Sequence, residues 1–200
     1  MKYLDSSILL LGLVLMGCGK IKPQDFVNQV NDPKGNFCSL HEFENQNIML
    51  STVFKPAEFN ALMGLESEQD YEDQFKLALN EQESSLRFDF RIACLDPSYD
   101  IIKDTLPPDL YIERIEYLTA KMAGDFSLVM GKDTIVPNFF HYERTYNMTP
   151  FNNFLLGFDL PRSKVHDNIR ILYDDKLFGL GRIEFDFDKN TINQKYPIDL

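Results

Sequence analysis

One nine-residue segment in the middle of the chain, Leu86–Cys94, constrains the fold more than any other. Its sequence, LRFDFRIAC, alternates apolar residues with a second set of which three of the four members are charged. Side chains of a β-strand point alternately to opposite faces, so this pattern predicts a strand with one face in the core and the other carrying charge. Such a strand is typical of an antiparallel sheet with one face towards solvent.

The rest of the chain predicts more strands than helices. Alternating or continuous apolar runs predict further strands at residues 48–55, 126–130, 134–136, 139–146, 153–158, 169–173 and 182–188. Helical spacing with Pro or Gly near the ends predicts helices at residues 57–63, from Ser67 to about 79, and at 108–123. We therefore expect an α+β domain, with a mostly antiparallel sheet of about six to eight strands and about two or three helices.

Residues 1–17, MKYLDSSILLLGLVLMG, have the make-up of a secretory signal. Lys2 gives a positive start, and residues 8–16 form an apolar stretch that is shorter than the roughly 20 residues a membrane-spanning helix needs. The segment ends Leu15-Met16-Gly17-Cys18, which resembles the lipobox of bacterial lipoproteins. The resemblance implies cleavage before Cys18, a diacylglycerol thioether on its sulfur, and acylation of the new amino group.

The same resemblance implies a lipid-anchored protein of the bacterial cell envelope, whose contact with the membrane is made through Cys18. More than one acyl chain makes such anchoring stable, since each buried methylene contributes about 0.8 kcal/mol. Gly19, rather than Asp, follows the cysteine, which in enterobacterial lipoproteins favours passage to the outer membrane. Residues 18–36 are polar and predict a lipidated tether, and residues 37–200 form the predicted domain.

Two cysteines, Cys38 and Cys94, remain beside the lipidated Cys18. Thiols tend to oxidise outside the cytosol, so we predict a disulfide between them, with two buried thiols as the alternative. Cys38 and His41 also have the spacing of half a zinc site, but few ligands remain for the other half. We therefore expect neither a metal nor any other cofactor.

An acidic row, Glu184, Asp186 and Asp188, occupies alternate positions of the last predicted strand. Clustered carboxylates bind hard cations such as calcium, but alternate strand residues lie nearly 7 Å apart, too far for all three to share one ion. The row is therefore interpreted as a solvated face. Its matching alternation with Arg87 and Arg91 suggests cross-strand ion pairs between the two strands.

The densest aromatic segment of the chain begins at residue 139. Phe139, Phe140, Tyr142 and Phe151 either fill the core or, where exposed, form a candidate binding patch for a protein, peptide or glycan. Nucleic acid is not expected as a partner, because the formal net charge of −11 repels a phosphate backbone.

The sequence contains no recognisable catalytic motif. It has no Gly-x-Ser-x-Gly segment and no glycine loop of the kind that binds phosphate. The preferred interpretation is a non-enzymatic binding or scaffolding domain anchored in the envelope. One alternative is a periplasmic or surface hydrolase that uses dispersed carboxylates. Another is an immunity-type lipoprotein that blocks a basic toxin by surface complementarity.

The first prediction concerns the anchor. Cys18→Ser removes the thiol that would carry the lipid, so we expect the variant to leave the membrane fraction and to lose the lipid mass seen in intact-protein mass spectrometry. Cys94→Ser, which leaves the lipobox unchanged, should stay in the membrane fraction. A native protein that begins at Met1, carries an unmodified Cys18 and fractionates with the cytosol would contradict the prediction.

Overall fold

Nine strands form two antiparallel sheets whose apolar faces pack against each other, in a computed structural model that describes residues 19–65, 70–96, 108–143, 149 and 151–200. The predicted α+β class with one domain is confirmed. The larger sheet has the order β1-β2-β3-β7-β6, formed by Cys38–Phe43, Ile48–Lys55, Leu86–Cys94, Phe151–Phe158 and Phe139–Glu143. The smaller sheet has the order β5-β4-β8-β9, formed by Asp133–Ile135, Phe126–Met130, Ile169–Asp174 and Arg182–Phe187.

Five helices accompany the sheets in the described residues: α1 Pro23–Val30, α2 Ala57–Met63, α3 Tyr71–Gln82, α4 Pro108–Glu116 and α5 Lys189–Asn193. The prediction for α2 is confirmed, since the helix follows Pro56 and ends at Gly64. Helix α3 begins after Asp70, and the predicted start at Ser67 lies outside the described residues. Helix α4 continues through a π-helical turn and a 3-10 turn that reach residue 125.

Strand β3 has the predicted alternation, and its apolar face forms the centre of the core. Phe90 is fully buried, and its ring meets four other rings from both sheets. The partners are Phe126, Phe154, Tyr173 and Phe185, at centroid distances of 5.0, 5.9, 4.9 and 5.9 Å. Aromatic pairs at such distances add stability beyond the area they bury. The Phe90 ring therefore joins the two sheets at the centre of the core.

The ordered domain begins earlier than the predicted boundary at residue 37. Within the predicted tether, residues 18–36, helix α1 buries Phe26 and Val30 completely. These residues are four apart and so share one helix face. The Phe26 ring lies 4.9 Å from that of Tyr196, and the backbone of Ile21 pairs with that of Ile198. The predicted tether is thus wrong for the described residues from 21 onwards, because two apolar residues in a polar segment are enough to anchor a short helix.

The sheet register contradicts the predicted disulfide. Cys38 on β1 lies opposite Val53, and Cys94 on β3 lies opposite Ile48, so the cysteines flank β2 at its opposite ends. Five residues of strand span about 16 Å, whereas a disulfide needs Cα atoms within about 7 Å. Cysteine number and compartment do not encode register, which is why the sequence argument failed here.

Two members of the acidic row pair with one arginine of the smaller sheet, Arg170, and not with Arg87 or Arg91. Arg170 on β8 contacts Glu184 at 2.9 Å and Asp186 at 2.8 Å. Asp188 instead caps α5 by accepting a hydrogen bond of 2.6 Å from the Asn190 backbone. The predicted arginine partners are wrong because β9 belongs to the other sheet, but the side chains of Glu184 and Asp186 do lie on a solvated face.

A buried arginine fastens the helices to the C-terminal segment. Arg162 contacts both carboxylate oxygens of Glu58 on α2, at 3.0 and 2.9 Å, and also pairs with Glu83 just after α3. It donates to the carbonyl oxygen of Gln194 at 3.3 Å, while the Tyr196 amide donates to Glu58 at 3.2 Å. Burial lowers the pKa of Arg162, but the two glutamates outweigh this effect and raise it overall. The guanidinium therefore stays charged and holds α2, α3 and the C-terminal segment together.

The second prediction tests this buried cluster. Arg162→Met leaves Glu58 buried without its cation, and such a loss typically costs about 3–5 kcal/mol of unfolding free energy. The double variant Glu58→Leu with Arg162→Met should lose less than the sum of the single variants, as measured by urea denaturation. Arg182→Met, which removes an exposed partner of Asp174, serves as the control and should change stability little. Additive single effects would contradict direct coupling.

Candidate functional site

The face of the larger sheet that points away from the smaller one, here called the outer face, carries a connected row of polar groups. This polar row consists of Asn31, Lys55, Asp89, Arg91, Asn153 and Glu143. Strand alternation places Asp89 and Arg91 on it because Phe88, Phe90 and Ile92 point into the core. The row crosses four strands, so the sheet register determines which of its groups meet.

Lys55 is the most deeply buried cation of the polar row, with 5 % of its surface exposed. Its Nζ lies 3.2 Å from Asp89, donates to Asn31 at 2.8 Å, and stands 4.4 Å from the centroid of the Phe59 ring. Burial lowers the pKa of Lys55, the Asp89 carboxylate opposes this, and Arg91 adds to it. The net pKa lies below the ordinary lysine value, so Asp89 offsets only part of the cost of burying this charge.

Two further arginines of β3 stack on aromatic rings. The Arg91 guanidinium lies 4.8 Å from the centroid of the Phe151 ring, and the Arg87 guanidinium lies 5.3 Å from that of Phe139. Phe139 fits there because its cross-strand neighbour is Gly157, where a Cβ atom would come within 3.0 Å of the Phe139 Cβ. A planar cation held against a ring keeps its edge available for hydrogen bonding.

A cavity of about 330 Å³ opens beside Arg87 and is here called the Arg87 cavity. Asn60, Met63 and Gly64 from the end of α2 and Gln82 from α3 form one wall, while the sheet supplies Lys55, Arg87, Asp89, Phe139 and Leu155. Helices α2 and α3 therefore shape this cavity, and the Arg162 cluster fixes where they lie.

A second cavity, of about 350 Å³, occupies the other half of the outer face and is here called the Phe151 cavity. Its apolar lining comes from Leu40, Met49, Val53 and Phe151. Arg91 and Cys38 also line it, and burial raises the pKa of the Cys38 thiol. The two cavities and the polar row together make the outer face a concave surface with both apolar and charged parts.

The predicted aromatic patch is divided between two faces. Phe139, 42 % exposed, and the half-buried Phe151 lie on the outer face, whereas Phe140 and Tyr142 point to the core side, where Tyr142 is only 8 % exposed. Consecutive strand residues alternate in direction, so a contiguous aromatic run cannot form one patch. Phe139 and Phe151 thus belong to the candidate site, while Phe140 packs against Phe126 in the core.

The other predicted groupings do not form a site. Cys38 lies on the outer face, but His41, three residues along the same strand, points the other way and lies 5.1 Å from the Phe185 ring. In the part of the chain that the structure describes, no cluster of three or more His, Cys, Asp or Glu side chains is placed to hold a metal ion. Nor does that part contain a helix with the length and apolar character needed to cross a membrane.

Sequence reasoning missed Lys55 and the role of Arg87 in this site. Lys55 is the last residue of β2, whose sequence is IMLSTVFK. Side chains on both faces of this strand are buried, so other parts of the chain cover its outer face. Arg87 was predicted to pair with the acidic row, which instead lies on the smaller sheet.

A scan against protein-family models, a search of curated proteins and a search of solved structures each found no match to the chain.

The third prediction tests the charge balance of the polar row. Asp89→Asn removes the carboxylate that opposes the effect of burial, so the pKa of Lys55 should fall further below its ordinary value, as measured from the pH titration of its ¹³Cε resonance. With the folded pKa below the unfolded value of about 10.4, the unfolded chain holds more protons between the two values, and stability rises with pH in that window. The unfolding free energy of the variant should therefore rise more steeply there than that of the wild type.

The exposed Asp133 supplies the control for this experiment. Asp133→Asn makes the same chemical change away from the outer face and should leave the Lys55 titration where it is. An unchanged Lys55 midpoint in Asp89→Asn would mean that the carboxylate does not act on this lysine.

Proposed function

We propose that this protein is a lipid-anchored, non-enzymatic binding protein of the bacterial cell envelope, held in the outer membrane through Cys18, and that the outer face receives a small ligand. The lipobox-like segment supports the anchor. The observation that carries the binding role is the pair of cavities, about 330 and 350 Å³, on either side of one polar row. Ligand sites are typically concave and largely apolar with a few convergent polar groups, and cavities of about this size are at the small end of their range.

The carboxylates of the outer face favour binding over hydrolysis. Among the described residues that line them, the Arg87 cavity contains one carboxylate, Asp89, and the Phe151 cavity contains one, Glu42. A hydrolase of the dispersed-carboxylate type needs two carboxyl groups that flank one reacting bond. Asp89 is also held by two cations, Lys55 and Arg91, which suits a structural charge better than a general acid.

The concave shape of the outer face also favours a small ligand over a toxin partner. An immunity-type surface for a basic toxin would present acidic groups over a broad area. The outer face instead holds Lys55, Arg87 and Arg91 beside Asp89, Glu143 and Glu42, so its charges are balanced rather than acidic in a chain of net charge −11.

A lipid on Cys18 would keep the domain close to the bilayer. Ile21 is fixed by backbone hydrogen bonds to Pro197 and Asp199, at 2.8 and 2.9 Å. Three Cα-to-Cα steps of about 3.8 Å separate Cys18 from Ile21, so the reach is about 11 Å. The proposed anchor therefore holds the domain at the membrane surface rather than on a long tether.

The fourth prediction tests ligand binding in growing cells. Phe151 is replaced by the photo-crosslinking residue p-benzoylphenylalanine in the full chain, and we expect illumination to add a mass of small-molecule size in intact-protein mass spectrometry. The same replacement at Val129, on the outward side of the smaller sheet, is the control and should give no such adduct. When the replacement at Phe151 is combined with Cys18→Ser, the protein loses its proposed anchor. The adduct should then be lost if the ligand resides in the envelope.

Two results would count against the proposal. An adduct of the size of a second protein at position 151 would favour a scaffolding or immunity role. Equal labelling at positions 151 and 129 would show that the outer face has no special affinity for a ligand.

A further inference from the structure

Unlike Lys55 and Arg91, which each contact Asp89, Arg87 has no carboxylate partner among the described residues. Its Nε atom is buried, and no acceptor in the described residues reaches it. Its guanidinium stacks on Phe139, at 5.3 Å, and lines the Arg87 cavity. A buried N–H group without an acceptor is costly, and such groups are uncommon in native proteins.

The neighbouring carboxylate is already shared by two other cations. Asp89 lies 3.2 Å from Lys55 and 3.5 Å from Arg91, so its charge is directed towards those two groups. Glu143 is held by Asn153, whose side-chain amide donates to it at 2.6 Å. Among the described residues of this face, no carboxylate therefore lies within ion-pair distance of Arg87.

The walls of the Arg87 cavity match a ligand that has an apolar body and one charged end. Met63, Leu155 and Phe139 give apolar surface, and the side-chain amides of Asn60 and Gln82 give polar groups at the helical wall. Arginine presents a planar fork of donors that fits a carboxylate in a bidentate manner. Asp89 lines the same cavity, and its charge disfavours a more highly charged anion such as a phosphate.

We propose that the Arg87 cavity binds the carboxylate of a small organic acid, with the guanidinium of Arg87 as donor and the apolar body of the acid against Phe139, Met63 and Leu155. This inference rests on the proposed binding function and names its ligand class. The carboxylate would meet the terminal Nη groups of the half-buried Arg87, because the Nε itself is buried, and the stack on Phe139 keeps the guanidinium oriented for it.

Benzoate, its neutral isostere benzamide, and inorganic phosphate are suitable probes. The full-length protein is placed in nanodiscs of neutral lipid, and the Arg87 Nε–Hε resonance is followed by NMR during each titration. Benzoate should shift this resonance saturably, and its affinity should exceed those of benzamide and phosphate by about tenfold or more, as expected when one charge-assisted contact is gained.

Two variants with the same change in charge separate the site from general electrostatics. Arg87→Met should weaken benzoate binding by about tenfold or more, measured by calorimetry. Lys132→Met, at the exposed hairpin turn after β4, should bind benzoate like the wild type. Arg87→Lys keeps the charge but lacks the planar fork, and should fall between the two.

The comparison of benzoate with benzamide uses the wild-type protein, so it stands even if an Arg87 variant fails to fold. Equal affinity for the two probes, or no shift of the Arg87 resonance, overturns the carboxylate assignment, and tighter binding of phosphate reassigns the anion. The photo-crosslink at position 151 probes the Phe151 cavity, in the other half of the outer face, so these results leave it unaffected. A failed carboxylate assignment is therefore distinguishable from a failed binding function.

Discussion

The packing of Phe90 between the two sheets is the interaction on which the rest of the structure depends. Its fully buried ring contacts rings from β4, β7, β8 and β9, and so joins the middle of β3 to both sheets. Because strand side chains alternate, fixing Phe90 inward also fixes Asp89 and Arg91 outward. A register slip of one residue would bury these charges and expose the rings. The aromatic core therefore determines which charges form the polar row.

The buried Arg162 cluster has a second positioning role, at the edge of the site. It joins Glu58 of α2 to Glu83 after α3 and to the C-terminal segment. The same two helices supply Asn60, Met63 and Gln82 to the wall of the Arg87 cavity. The geometry of that cavity thus depends on an ion pair outside it. A buried ion pair of this kind gives little net stability compared with apolar packing. When every partner is hydrogen-bonded, however, it disfavours other arrangements of the helices.

Local patterns in the sequence predicted single elements better than the way these elements meet. The alternation of Leu86–Cys94 and the Pro56 and Gly64 boundaries of α2 gave correct elements because they reflect local geometry. The partner of Glu184, the pairing of the cysteines and the division of the aromatic patch all depend on register and on the presence of two sheets. Residues far apart in sequence decide these features. The same holds for the candidate site: the outward charges of β3 were predictable, but the helical wall beside Arg87 was not.

The outer face combines partial burial with charge in a way that packing alone does not explain. All of Ser51, Val53 and Lys55 are buried although they point away from the core between the sheets. Two of the cations on this face gain a carboxylate within 3.5 Å, which offsets the cost of removing them from water. Arg87 gains only an aromatic ring, and this does not satisfy its buried N–H. Most residues of a folded chain agree with the rules of packing and hydrogen bonding. A residue that breaks these rules often has a functional role. An acid that docks against Arg87 would bring an anion to the accessible end of its guanidinium and fill the apolar space beside it.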